Sequence, residues 1–349
     1  MRSPFWARHA IGQSESRKSE GMSSPKVLVT GASGFLGSHI CEAAHEEGHE
    51  IHALIRETSS RQWLNQDEIH IHVADLGDRE AMILLLKDMD YVIHNAGVLA
   101  TVARDAAECQ RVNVDITRVL AEESIRAGIK RLVYVSSLAA GGPGKGPQAR
   151  TEEDPDNPVS DYGRSKKAAE GMLYELRDRL SVVILRYGMI YGPRGHNTLG
   201  FFKALQGNLV PLMGLKPLYS SVIYVRDAAC AAVSALSANV SSGSVYQITD
   251  GNSYTIEELC DSIEEALGKK KRAKRIKIPF WLIMLNAWYR HDVRGLRGIS
   301  PDQVRNFKAR YWYASPEKAV RELGWKPEMN LSKGLAETVE CYQEYGWLQ

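Results

Sequence analysis

No run of apolar residues in this chain approaches the roughly 18 to 20 that a membrane-spanning helix needs. The first two dozen residues are polar and of mixed charge, without the apolar centre of a secretory signal. They read as a disordered tail over 1–24, with Met22 as a candidate start of the folded protein. Cysteine is scarce: Cys41, Cys109, Cys230, Cys260 and Cys341 lie far apart and form no C-x-x-C pair. That spacing argues against a disulfide framework and a zinc knuckle, and assigns the thiols to buried filler in a reduced protein. No metal site is expected. Charge of one sign is missing too. The formal net charge is +2, so nothing draws the chain as a whole toward nucleic acid. What is left is a globular protein of 349 residues, expected in the cytoplasm with a small-molecule substrate, and long enough for one large domain or two smaller ones.

What the sequence does have is a glycine turn, Gly31-Ala32-Ser33-Gly34-Phe35-Leu36-Gly37. It follows an apolar run, Val27-Leu28-Val29, that predicts a buried strand, and it opens an amphipathic segment, Phe35 to His45, that predicts a helix. Three glycines at fixed positions allow a tight turn, close approach of the backbone to a pyrophosphate, and packing of helix on strand. The first amides of such a helix face the phosphates. The pattern therefore predicts a dinucleotide cofactor and, with it, redox chemistry.

Strand and helix signals alternate from Lys26 to about Ser136. Residues 51–55, 69–73, 91–93 and 131–135 read as the second to fifth strands, and Asp105 to Ala127 reads as one helix ending at Gly128. Strands separated by helices predict crossover units and a doubly wound parallel sheet. A long Gly/Pro-rich loop, 141–158, precedes a helix from Tyr162 to about Leu180 and a strand over 182–185. The expected division is a dinucleotide-binding domain over 25–191, then a smaller substrate lobe over 192–349, interleaved with the sheet domain.

Tyr162 and Lys166 lie four apart on that helix and share a face. A nearby ammonium favours the phenolate of a tyrosine, whose free pKa is about 10. Ser137 ends the fifth strand, at the edge where ligands bind in doubly wound sheets. Together they could move a proton and hold an oxygen. Spacing alone leaves the alternative of a solvated helix start open.

Several ordered motifs resemble the extended short-chain dehydrogenase/reductase family, closest to its 3β-hydroxysteroid dehydrogenase and dihydroflavonol reductase branch. They are Thr30 to Gly37, Tyr134-Val135-Ser136-Ser137, Tyr162-Gly163-Arg164-Ser165-Lys166, Leu185-Arg186, Ile190 to Arg194, Tyr224 to Ala228, and Leu323-Gly324-Trp325-Lys326-Pro327. The likeness runs from about Lys26 to the end. It implies a Rossmann-type α/β fold. By resemblance, Tyr162 is the general acid/base, Lys166 binds the nicotinamide ribose and lowers the tyrosine pKa, and Ser137 holds the substrate oxygen, with Ser136 as the neighbouring candidate. Asp75, with Leu76 beside it, would contact the adenine end. Asn95-Ala96-Gly97 and Tyr187 to Met189 would line the cofactor. Asp75 also fits a helix cap near Arg79. Many relatives pair helices into a dimer interface, which implies a homodimer through the 105–127 and 162–180 helices.

The second strand ends in Arg56, where a carboxylate would select NAD and a guanidinium can clamp a 2′-phosphate. This predicts NADP, with NAD as the alternative. Leu138 and Ala139 stand where sugar-nucleotide dehydratases of the family carry an Asp-Glu pair. Met189 stands where epimerases place an asparagine, and Ser220 and Ser221 stand where they carry an arginine. The expected reaction is hydride transfer to or from a fairly apolar alcohol or ketone, although Arg194 and Arg226 could serve a diphosphate. The alternatives are a sugar-nucleotide epimerase and a non-catalytic dinucleotide-binding protein. The basic run from Lys269 to Lys277, followed by the apolar Phe280 to Leu285 with Trp288 and Tyr289, allows weak contact with a membrane surface. A core helix and a solvated turn are the competing readings.

Overall fold

The computed structural model describes residues 24–99, 105–289 and 301–348. Met22 and nearly all of the tail expected at 1–24 lie outside them. Seven parallel strands form the main sheet: β1 (Lys26–Thr30), β2 (Glu50–Ile55), β3 (Ile69–Val73), β4 (Tyr91–His94), β5 (Arg131–Ser137), β6 (Val182–Tyr187) and β7 (Ser244–Ile248). Their spatial order is β7-β6-β5-β4-β1-β2-β3. The order reverses between β1 and β4, and this switch point opens a crevice at the carboxyl ends of the strands.

Side-chain alternation along the strands feeds two cores. Val27 and Val29 join Ile40, Ala228 and Ala232 on one face, where α1 (Phe35–Glu46) packs. Leu28 joins Met82, Leu120 and Met172 on the other, beneath α2 (Arg79–Leu86), α3 (Ile116–Ala127) and α4 (Asp161–Glu175). The chain returns to the sheet late, since α5 (Val225–Ser237) packs on α1 and β7 adds to β6. A third core, centred on Phe202, Leu259 and Tyr342, holds the C-terminal lobe together. Among the described residues no helix is long and apolar enough to cross a membrane.

Two expectations change here. The helix expected over 105–127 is broken by a π-helical turn, Arg111–Asp115, between Ala106–Gln110 and α3. The basic run at 269–277 is not one open cationic patch. Strand alternation turns Arg275 and Lys277 toward the helix Ile256–Ala266, where they pair with Asp261, Glu264 and Glu257. Lys269 and Arg272 pair with Glu264 and Asp261 as well.

Candidate active site

The glycine turn sits at the switch point. Gly31 has φ +65°, and a Cβ there would stand 3.0 Å from the Ala96 backbone. A Cβ on Gly37 would lie 2.1 Å from the Gly31 carbonyl oxygen, so α1 can leave the turn only through a glycine. The start of α1 has no side-chain cap and no acidic residue in its first turn. Its amides are thus left for an outside anion, the geometry that suits a pyrophosphate. Ser33 and Leu36 lie on the same turn, with Leu36 buried.

Asn95, Ala96 and Gly97 follow β4 and close the other side. Asn95 donates to the Gly31 carbonyl (3.2 Å), and the Ala96 amide donates to Thr30 Oγ1 (3.1 Å). His94 is buried between Thr30 (2.8 Å) and Thr117 (2.9 Å), and burial lowers its pKa to about 3. It is a neutral brace between β1, β4 and α3. Asp75 accepts the Gly77 amide (2.7 Å), while Asp78 caps α2 and Arg79 pairs with Glu122 and Glu123. Asp75 is therefore not the cap, and it remains exposed beside Leu76 at the end of β3. Arg56 is exposed at the end of β2, where its amide donates to Ser59 Oγ.

The catalytic candidates meet one strand over. Ser137 and Ser136 separate clearly. The Ser136 hydroxyl is buried and donates to Glu170 (2.6 Å), whereas Ser137 is half-buried at the strand end, where its Oγ accepts the Ala139 amide (3.2 Å). Ser160 caps α4 through the Gly163 amide, fixing the turn that carries Tyr162. Enclosure pushes the Tyr162 pKa up to about 12, against a downward pull from Ser137. Lys166 Nζ donates to the Val135 carbonyl (2.8 Å) and the Tyr134 hydroxyl (3.2 Å), and burial lowers its pKa to about 8. The expected lowering of the Tyr162 pKa by Lys166 is thus corrected. The buried ammonium finds its partners on β5, and the phenol keeps its proton at neutral pH.

Asn113 was not singled out from the sequence. It lies in the π-helical turn, buried, with Oδ1 accepting the Val98 amide (2.9 Å) and Nδ2 donating to Ser165 (3.0 Å). A Cβ on Gly97 would come 3.0 Å from Asn113 Oδ1 and 3.4 Å from Lys166 Nζ, so these three groups share one pocket wall. Its signal was an asparagine four residues before Thr117, on the buried stripe of a helix. Tyr187 turns away, buried with its hydroxyl on the Ala228 carbonyl (3.0 Å). It is the register partner of Ser137, so Met189 leaves the sheet two residues beyond the site. Arg194 and Arg226 also turn away: they pair with Glu42 (2.7 Å) and Glu46 (2.8 Å) on α1. The Glu50, His52 and His70 cluster has metal-like spacing but lies at the opposite end of β2. Its groups bond to one another, to His72 and to Lys26.

Order of strands, uncapped α1 and a hydroxyl–phenol–amine cluster define a doubly wound protein of the dinucleotide-binding type. Within that class the chain belongs to the NAD dependent epimerase/dehydratase family, whose model matches residues 27–249. It is 29% identical over 329 residues to a ceramide reductase of Caulobacter vibrioides, covering 92% of this chain and 96% of that one. It is 27% identical over 350 residues to a UDP-glucose 4-epimerase of Neisseria meningitidis serogroup C, covering 88% and 94%. A UDP-glucose 4-epimerase of Thermus thermophilus, solved in complex with NAD, superposes with a TM-score of 0.74 at 26% identity, covering 91% and 99%.

Proposed function

We propose that this chain is an NAD(P)-dependent reductase or dehydrogenase of a secondary alcohol or ketone on an apolar substrate. The observation that supports the substrate class is a small pocket, about 40 Å³ in volume, with an entirely apolar lining to which Met189 contributes. Phe201, Phe202, Leu259, Ile263 and Leu335 line it, and its Thr198 hydroxyl is turned to the Gly195 carbonyl. A diphosphate needs cations or donors, and Arg194 and Arg226 are already engaged on α1. The relative named as a ceramide reductase supports the same reading, since its name describes reduction of a lipid. The epimerases among the relatives support the alternative of a sugar-nucleotide epimerase.

The α1 amides and the 95–97 loop would hold the cofactor, which when bound supplies or accepts the hydride. The rest falls to side chains of this chain. Ser137 donates to the substrate oxygen, and Tyr162, protonated at neutral pH, delivers a proton to that oxygen as the carbonyl becomes an alcohol. Lys166 and Asn113 fix the wall against which the ribose end would lie.

The test is incubation with reduced cofactor and either long-chain ketones or UDP-glucose. Net loss of nicotinamide absorbance with a ketone is the expected result. Interconversion of UDP-glucose with no net loss would replace this reading with epimerase chemistry. Arg56→Glu is expected to weaken NADP binding by about tenfold or more, relative to NAD, because a charge-assisted contact to the 2′-phosphate is lost. Fluorescence titration with both cofactors checks it, and an unchanged ratio removes Arg56 from cofactor selection.

A further inference from the structure

The C-terminal lobe carries an apolar surface that the chemistry above does not use. The helix Phe280–Trp288 is apolar almost throughout, yet only Ala287 is buried. Trp281 is 66% exposed, Leu285 56% and Trp288 50%. The neighbouring two-stranded sheet extends the surface. Leu209–Met213 pairs in parallel with Lys274–Ile278, which puts the exposed Leu209 and Ile276 on one face of the ribbon. The Phe280 ring packs over Gly214, which joins this ribbon to the helix.

Charge is sorted along the same edge. Alternation sends Arg275 and Lys277 inward to Asp261, Glu264 and Glu257. Lys274 points with Ile276 to the open face, and Lys270 and Lys271 are exposed in the turn before it. Among the described residues these three lysines have no ion pair. Exposed tryptophans beyond the Ile278 end of the ribbon and unpaired cations at its Lys274 end, with Ile276 on the open face between them, match an interface where one side is hydrocarbon and the other is anionic headgroup.

We propose that the helix Phe280–Trp288, with Lys270, Lys271 and Lys274, is a docking surface for an anionic phospholipid bilayer. The helix packs against Pro301–Lys308, whose Asp302 accepts the backbone amide of Asp161 (2.8 Å), next to Tyr162. A docked chain therefore holds the first turn of α4 close to the lipid. Docking does not depend on the reaction assigned above, and it can succeed or fail independently of it.

Co-sedimentation of the full chain with phosphatidylcholine vesicles, with and without phosphatidylglycerol, tests the proposal. Wild type should pellet with the anionic vesicles and bind neutral ones at least tenfold more weakly. Each interfacial lysine contributes about fivefold, so Lys270→Glu, Lys271→Glu and Lys274→Glu together should weaken binding by about a hundredfold or more. Trp281→Ser with Leu285→Ser should lose binding without a change in thermal unfolding. A wild type that stays in the supernatant with both vesicles, or a double variant that binds like wild type, overturns the proposal. So does a wild type that sediments as a larger species than the double variant without lipid, since a second copy would then cover the patch. Should the double variant unfold early, quenching of wild-type tryptophan fluorescence by brominated anionic lipid gives an independent reading, and absence of quenching is equally fatal.

Discussion

Tyr162→Phe is expected to lower turnover by roughly a thousandfold while leaving dinucleotide affinity essentially unchanged. The substitution removes one oxygen and keeps the ring, so the packing of α4 against the sheet survives. What goes is the phenol proposed to give a proton to an oxygen held by Ser137, the residue that pulls its pKa downward. Lys166 cannot take over from where it stands, because its ammonium is spent on the Val135 carbonyl and the Tyr134 hydroxyl. Steady-state rates with the best ketone, set beside fluorescence titration of the cofactor, separate the two effects. Turnover near the wild-type value would remove Tyr162 from the reaction. Equal loss of turnover and of cofactor affinity would make it a binding residue instead.

The second large effect is on stability. Glu170→Ala should cost about 3 to 5 kcal/mol, because removing one partner of a buried ion pair leaves the other charge uncompensated. Arg186 is almost wholly buried and meets Glu170 with two bonds, Nε to Oε1 at 2.9 Å and Nη2 to Oε2 at 2.6 Å. The same carboxylate accepts from Ser136 at 2.6 Å. Asp156 would still hold the far side of the guanidinium through two bonds of 2.7 and 2.8 Å, which places the expected loss toward the lower end of that range. Urea unfolding monitored by circular dichroism measures it. A loss below about 1 kcal/mol would show that Asp156 alone satisfies Arg186, and that Glu170 is not what anchors α4.

Apolar runs were enough to read six of the seven sheet strands, because buried parallel strands are continuous apolar stretches, and the glycine turn was legible because it tolerates nothing but glycine at Gly37; β7, short and far along the chain, was not read. The Tyr162–Lys166 spacing was legible for the same geometric reason, four residues being one face of a helix. Partners were not. Whether Lys166 faces Tyr162 or β5 depends on which carbonyl lies nearest a buried ammonium, and no linear pattern records that. Arg194 and Arg226 looked available to a diphosphate because their partners, Glu42 and Glu46, are about 150 and 180 residues away in the chain. The basic run from Lys269 to Lys277 misled in the opposite direction. It looked uniform in sequence, but a two-residue strand period divides it between an acidic helix and the open face. The π-helical turn at Asn113 left no trace in the apolar pattern, since one extra residue in a turn shifts a stripe too little to see.

The pairing of Arg194 and Arg226 with α1 has a mechanical consequence. One end of that helix is the phosphate cradle, and its acidic flank carries both arginines of the later chain. α1 is therefore a strut shared by two parts of the molecule. The 192–195 loop and the start of α5 are tied by these two pairs to the helix whose other end is the glycine turn. Thr198, which lines the apolar pocket, lies four residues beyond Arg194, so the pocket's rim and the glycine turn share one support.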